Sequence, residues 1–123
     1  MQIWTVDREF EQPIRHFNFN MSGGSFCAIF TLRLTPNLDE PEVRFESEVD
    51  DAEAMFWIPY IQEGVQQFIQ ERENTGKPIG YLHIALIDIR IHPVDSKSHR
   101  FRQAAVIAMT EAFANHGISL VEL

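Results

Sequence analysis

Residues 76–113 read G-K-P-I-G-Y-L-H-I-A-L-I-D-I-R-I-H-P-V-D-S-K-S-H-R-F-R-Q-A-A-V-I-A-M-T-E-A-F, and the fold turns on how that stretch divides. Its first half predicts a strand over 84–91, rich in Ile and Leu, with both faces buried near the middle because alternation gives way to a continuous apolar run. Toward the end of the strand Asp88, Arg90 and His92 share one face and Ile87, Ile89 and Ile91 the other, so one side becomes wet. Pro93 stops the strand. Asp95 and Ser96 are suited to cap a helix on which Phe101, Ala104, Ala105, Ala108 and Ala112 recur at helical spacing. Small residues on that face let the helix lie close to a sheet.

Outward from this core, the pattern gives strands on both sides. Residues 1–6 form a candidate first strand, and Gln12-Pro13 is expected to break any element there. Phe17, Phe19 and Met21 then alternate with His16, Asn18, Asn20 and Ser22. Gly23-Gly24 turns the chain into a partner strand with Phe26, Ala28, Phe30, Leu32 and Leu34 inward, which reads as a hairpin. Val43, Phe45 and Val49 alternate with Glu42, Arg44, Glu46 and Glu48 for a further strand with one solvated face. After the start signals Asp50 and Asp51, a helix beginning near 56–58 carries Ile58, Ile61, Val65, Phe68 and Ile69 inward, with Pro59 in its first turn and Asn74-Thr75-Gly76 closing it. Residues 118–121 supply a last short strand. The economical arrangement is α+β: a mixed, mostly antiparallel sheet with two helices packed on one face.

The stretch around the turn also resembles the fourth domain of translation elongation factor G. There a strand ends in a pattern like S-Y-H-x-V-D-S-S-E-x-A-F-K-x-A-A; here I-H-P-V-D-S-K-S-H-R-F-R-Q-A-A stands in its place, and His92, Val94, Asp95, Ser96, Phe101, Ala104 and Ala105 match. Ile58-Pro59, Gly64, Gly76 through Pro78 and Leu120 to Glu122 resemble further family positions, and Met21-Ser22-Gly23-Gly24 resembles the Q-T-G-G that opens a glycine-rich loop. Coverage runs from residue 17 to the C-terminus. The resemblance implies a fold like the second domain of ribosomal protein S5, with residues 1–123 as a single, stand-alone domain. It also implies that the glycine loop and the histidine turn share a tip, which in the family enters the ribosomal decoding site and touches RNA. The matching tip positions are Gly23, Gly24, His92, Asp95 and Ser96. This chain departs from the family in two places: Ser25-Phe26-Cys27-Ala28 replaces R-G-Q-Y-G, and Ile89-Arg90-Ile91 replaces Gly-Ser-Tyr.

Bulk composition bounds the remaining possibilities. With 45% hydrophobic and 23% charged residues in 123, the chain is an ordinary globular domain that needs no disulfide or metal to hold a core. Neither a signal peptide nor an apolar span is present, so a cytoplasmic location without membrane contact is expected. The single cysteine, Cys27, suits a reducing compartment and has no assignable role beyond that of a small hydrophobe. A net charge of -8 opposes nucleic-acid binding, yet Arg90, Lys97, Arg100 and Arg102 fall within thirteen positions whose only acid is Asp95, a local balance of +3. The alternative is a solvated helix start with incidental arginines.

Catalytic chemistry is weakly represented. No G-x-x-x-x-G-K-[ST] is present, so GTP and other nucleotides are not expected as ligands or substrates. His83, Asp88, His92, Asp95 and His99 have no zinc spacing, and an acyl-transfer reading of His92, Asp95 and Ser96 or Ser98 competes with capping. The expectation is therefore a non-catalytic module without cofactor or metal, binding ribosome or ribosomal RNA through a basic tip of Gly23, Gly24, Arg90, His92, Asp95, Ser96, Lys97, Arg100 and Arg102. The alternative is a protein-interaction or self-associating domain, with a small hydrolase or metal-binding protein more remote.

Overall fold

A computed structural model of the chain describes residues 2–20, 24–91 and 96–121. Met21, Ser22, Gly23, His92, Pro93, Val94 and Asp95 lie outside them, as do the side chains of Phe17, Phe19, Phe26 and Cys27. The elements are β1 (Gln2–Val6), β2 (Phe10–Asn20), β3 (Gly24–Pro36), β4 (Val43–Ser47), α1 (Ala52–Met55), α2 (Ile58–Asn74), β5 (Leu82–Arg90), α3 (Ser98–His116) and β6 (Gly117–Val121). A four-stranded sheet has the order β2-β3-β5-β4, antiparallel except for the β4–β5 pair. The first and last strands do not join it. They form a separate antiparallel pair, braced on the other side by bonds from Trp4 N–H to the Pro78 carbonyl (2.8 Å) and from Gly80 N–H to the Trp4 carbonyl (3.0 Å). The class is α+β as the patterning implies, with mixed and antiparallel pairing divided between two sheets.

One face of the larger sheet is the core. Ile14, Phe30, Leu32, Leu34, Leu82, Ile84 and Leu86 are buried there, against Phe101, Ala104, Ala105, Ala108, Met109 and Ala112 of α3. The alanines do what their spacing suggests, letting α3 settle onto β2 and β3, while Phe101 sits beside Phe30 with ring centroids 6.2 Å apart. α2 lies alongside α3 and contributes Ile61, Val65 and Phe68. Its start is as read: Ile58 is the first helical residue and Pro59 falls where a missing N–H costs nothing. Thr75 is its C-cap and Gly76 follows with φ of 76°. No helix among the described residues is long and apolar enough to cross a membrane.

Three local expectations are corrected. Pro13 does not break the chain: it sits within β2 opposite Thr31, because β2 is an edge strand and its missing N–H deprives no neighbour of a ladder bond. Asp51 does not start the long helix but a separate short one, its side chain accepting from Glu53 N–H at 3.1 Å before α1. Nor does α3 begin on Ser96. Its N-cap is Lys97, without a side-chain cap bond, and the Lys97 carbonyl receives the amides of Arg100 and Phe101. Ser96 is instead 9% exposed and counts among the buried polar residues. Lys97 is still extended, at φ −128° and ψ 134°, so the first helical turn cannot include Ser96.

The continuous apolar run of β5 also has a specific cause. Thr31 is paired with Asp88 and Leu32 with Leu86, so Ile87 is an extra residue, a β-bulge. Inward positions are even-numbered before it (Leu82, Ile84, Leu86) and odd-numbered after it (Ile89), since Ile89 faces Phe30. The run is a phase change as well as a buried middle, although Ala85 on the outer face is buried too.

The outer face of the sheet absorbs much of the acidity. Arg33 bonds the Glu48 carboxylate and lies 3.8 Å from Glu9, and His83 is 3.2 Å from Glu46. The hydrogen bond from Arg33 holds the Glu48 carboxyl below its ordinary range despite some desolvation. A carboxyl with a depressed folded-state pKa adds stability that is full above its unfolded value and is lost as pH falls through the folded one. Wild-type protein should therefore lose melting temperature more steeply than Glu48→Gln below about pH 4.5. Parallel curves in thermal melts across that range would show that the pair carries no linkage.

Candidate functional site

The pairing registers define one end of the molecule. β5 runs antiparallel to β3 and stops with Arg90 opposite Ile29, whereas β3 continues to pair with β2 up to Gly24 opposite Asn20. Five residues of β3, 24–28, thus extend past the last β5 partner, about 16 Å of strand at the usual rise. The hairpin predicted from the glycine pair is present, and Gly24 opens its second strand. β4 runs parallel to β5 and delivers the chain to this end, where α1 follows and α2 starts back. α3 starts here as well. The paired ends of β2 and β3, the end of β5, the start of α3, α1 and the first turn of α2 are therefore gathered at one end; Gly23, His92 and Asp95 are outside the described residues.

On the outer face here, Arg15, Ile29 and Arg90 form one cross-strand row and Pro13, Thr31 and Asp88 the next. The rows exist because the Ile87 bulge resets the phase of β5. They line a shallow hollow of about 310 Å³. Arg90 is largely solvent-exposed, with Nε 4.0 Å from Asp88 Oδ2, a separation at which an exposed pair holds the side chain only loosely. Arg15 is exposed and, among the described residues, has no ion pair. Sequence reasoning missed it because Arg15 and Arg90 are joined only through a central strand. Alternation of Arg15 with the buried Ile14 was the one available signal.

The other predicted basic residues divide. Lys97 is exposed at the start of α3, and Arg100 donates to Gln103 Oε1 at 2.9 Å within that helix. Arg102, one turn into α3, is exposed with Nη1 3.9 Å from Glu63 Oε2 on α2, a contact about as loose as that of Arg90 with Asp88. A second group was also missed. Met55 and Phe56 are 60% and 63% exposed at this same end, the Phe56 ring packing edge-on against Trp57 at 5.0 Å, and Trp57 against Phe101 at 5.3 Å. Among the described residues no three His, Cys, Asp or Glu side chains converge as metal ligands.

Comparison with known proteins gives this end a context. The family model for elongation factor G, domain IV, matches residues 8–116, from just before β2 through α3. The chain belongs to the elongation factor G domain IV family. It is 29% identical over 119 residues to elongation factor G of Ruegeria pomeroyi and 30% identical over 119 residues to that of Cereibacter sphaeroides. Each alignment covers 96% of this chain and 17% of the relative, so the chain spans about a sixth of the length of the curated relatives it matches. A crystal structure of a protein from Thermus thermophilus superposes with a TM-score of 0.74 at 19% identity, covering 96% of this chain and 18% of that one. That likeness supports the domain IV fold. The chain is thus a translation-factor-type domain, and its resemblance around the β5–α3 connection rests on family membership as well as on matched residues.

Proposed function

We propose that this domain is a non-catalytic module that binds the ribosome through RNA, using the hairpin end. The carrying observation is the cross-strand row Arg15–Ile29–Arg90, two exposed guanidinium groups beside the projecting hairpin, with Lys97 on the adjoining connection. Guanidinium and ammonium groups gain affinity for phosphate by releasing counterions, and a small positive surface can act locally even on a chain of -8. Gly23, Gly24, His92, Asp95 and Ser96 complete the proposed contact set by family position, and Arg15 is added to it. Arg102, exposed but inclined toward Glu63 of α2, stands at the margin of the set. The module acts in the cytoplasm and neither binds nor hydrolyses GTP, in keeping with the missing phosphate loop.

Ribosome co-sedimentation across a salt series tests this reading. Bound fraction should fall steeply with salt, by about 0.7 log units per log unit for each phosphate contact on single-stranded RNA. Arg15→Glu with Arg90→Glu should remove binding while leaving the melting temperature unchanged. Binding that ignores both salt and charge reversal would reject it. In the second reading, Met55 and Phe56 dock a protein, which their exposure favours; then Phe56→Ser, and not the arginine reversals, should abolish capture.

A further inference from the structure

At the opposite end, the last turns of α2 and α3 meet β1 around Arg72. Its guanidinium carbon lies 5.3 Å from the Trp4 ring centroid, 5.9 Å from that of Phe68 and 5.2 Å from that of Phe113. Nε donates to the Lys77 carbonyl at 2.9 Å. Nη2 is buried against this aromatic surround with no hydrogen-bond partner, and among the described residues no carboxylate is within ion-pair distance of the group. Desolvation accordingly pushes the arginine's pKa down. A partly buried cation held by rings and a single backbone carbonyl, with one nitrogen unpartnered, is an incomplete electrostatic arrangement.

Arg72 lines a hollow of about 400 Å³, a volume suited to a small ligand, whose walls include Phe68, Phe113 and Ala114. Its chemistry narrows the ligand. Thr75 and Thr110 also line it, but their hydroxyls donate to the Arg72 and Val106 carbonyls, at 3.1 and 2.7 Å. The guanidinium is then the principal donor available, and Glu71 on the rim disfavours a dianion. A phosphate is better served by several converging donors, whereas one guanidinium matches one carboxylate.

We propose that this hollow binds a monocarboxylate carried on a short apolar or aromatic body, the carboxylate against Arg72 and the body against Phe68 and Phe113. Such a group occurs in free organic acids and at the C-terminus of peptides ending in an apolar residue. The test is an NMR titration of the ¹⁵N-labelled chain with 3-phenylpropanoate, 3-phenylpropanamide, and N-acetyl-Gly-Phe with its terminus free or amidated. Saturable shifts at Arg72 Nε–H, Thr75 and Thr110 are expected with the carboxylates, and roughly tenfold weaker binding with either amide. Ala114→Trp, which fills the hollow from an exposed helix position, should abolish the shifts without changing the melting temperature. Binding of the free acid alone assigns the site to small acids; binding of both carboxylates extends it to peptide termini. Shifts that do not saturate, amides that bind as tightly, or binding intact in Ala114→Trp would each overturn the proposal.

Discussion

Phe101→Ala is expected to lower the unfolding free energy by about 3–5 kcal/mol, the range in which truncated core aromatics fall. The residue is fully buried, packs against Phe30 on the inner face of the sheet and Trp57 at the head of α2, and sits in the first turn of α3. Removing the ring opens a cavity at the meeting point of three elements, which cannot all close on it together. For a domain with roughly 5–15 kcal/mol in total, the loss is a large share. Urea unfolding gives the value directly. A loss below about 1 kcal/mol would show that the helix start collapses into the space, contrary to the normal behaviour of core aromatics.

Gly64→Ala should destabilise, and here the sign is the informative part. In an exposed helix interior the change gains about 1 kcal/mol, because glycine is the poorer helix former. In this structure a Cβ on Gly64 would lie 2.3 Å from the Arg102 carbonyl oxygen and 2.6 Å from the Ala105 Cβ. Neither neighbour has a rotamer with which to withdraw. α2 and α3 would have to move apart, at an overpacking cost of about 1–3 kcal/mol for inserted core atoms, and Gly64→Val should cost more. Chemical denaturation of both variants checks this; a stabilised Gly64→Ala would mean that the helix pair separates freely.

Much of this architecture was legible in the sequence because the decisive residues act locally. Pro59 can occupy only a first turn, Gly76 supplies a left-handed residue after the helix, and the alanines of α3 repeat on the face that meets the sheet. The misreadings arise where a distant element decides. Pro13 is tolerated because of its edge position, and the Ile87 bulge is visible only once β3 is laid beside β5. For the candidate site, charge clustering picked out Arg90, Lys97, Arg100 and Arg102 as a group, but proximity in sequence does not show which partners each side chain has: Arg100 bonds Gln103 within α3 and Arg102 lies near Glu63 of α2. Arg15 required the sheet register. Gly23, His92 and Asp95 came from family position and lie outside the described residues.

The junction after α3 has a mechanical consequence. His116 ends the helix and Gly117 begins β6, with no intervening loop and the Gly117 N–H bonded back to the Phe113 carbonyl. A helix of 19 residues is a strut about 28 Å long. Its near end bears Lys97 and its far end passes directly into a strand held along its length by β1. A load applied at the hairpin end would therefore reach the small sheet as displacement instead of being taken up by slack chain, which makes α3 the lever arm between the two ends of the domain.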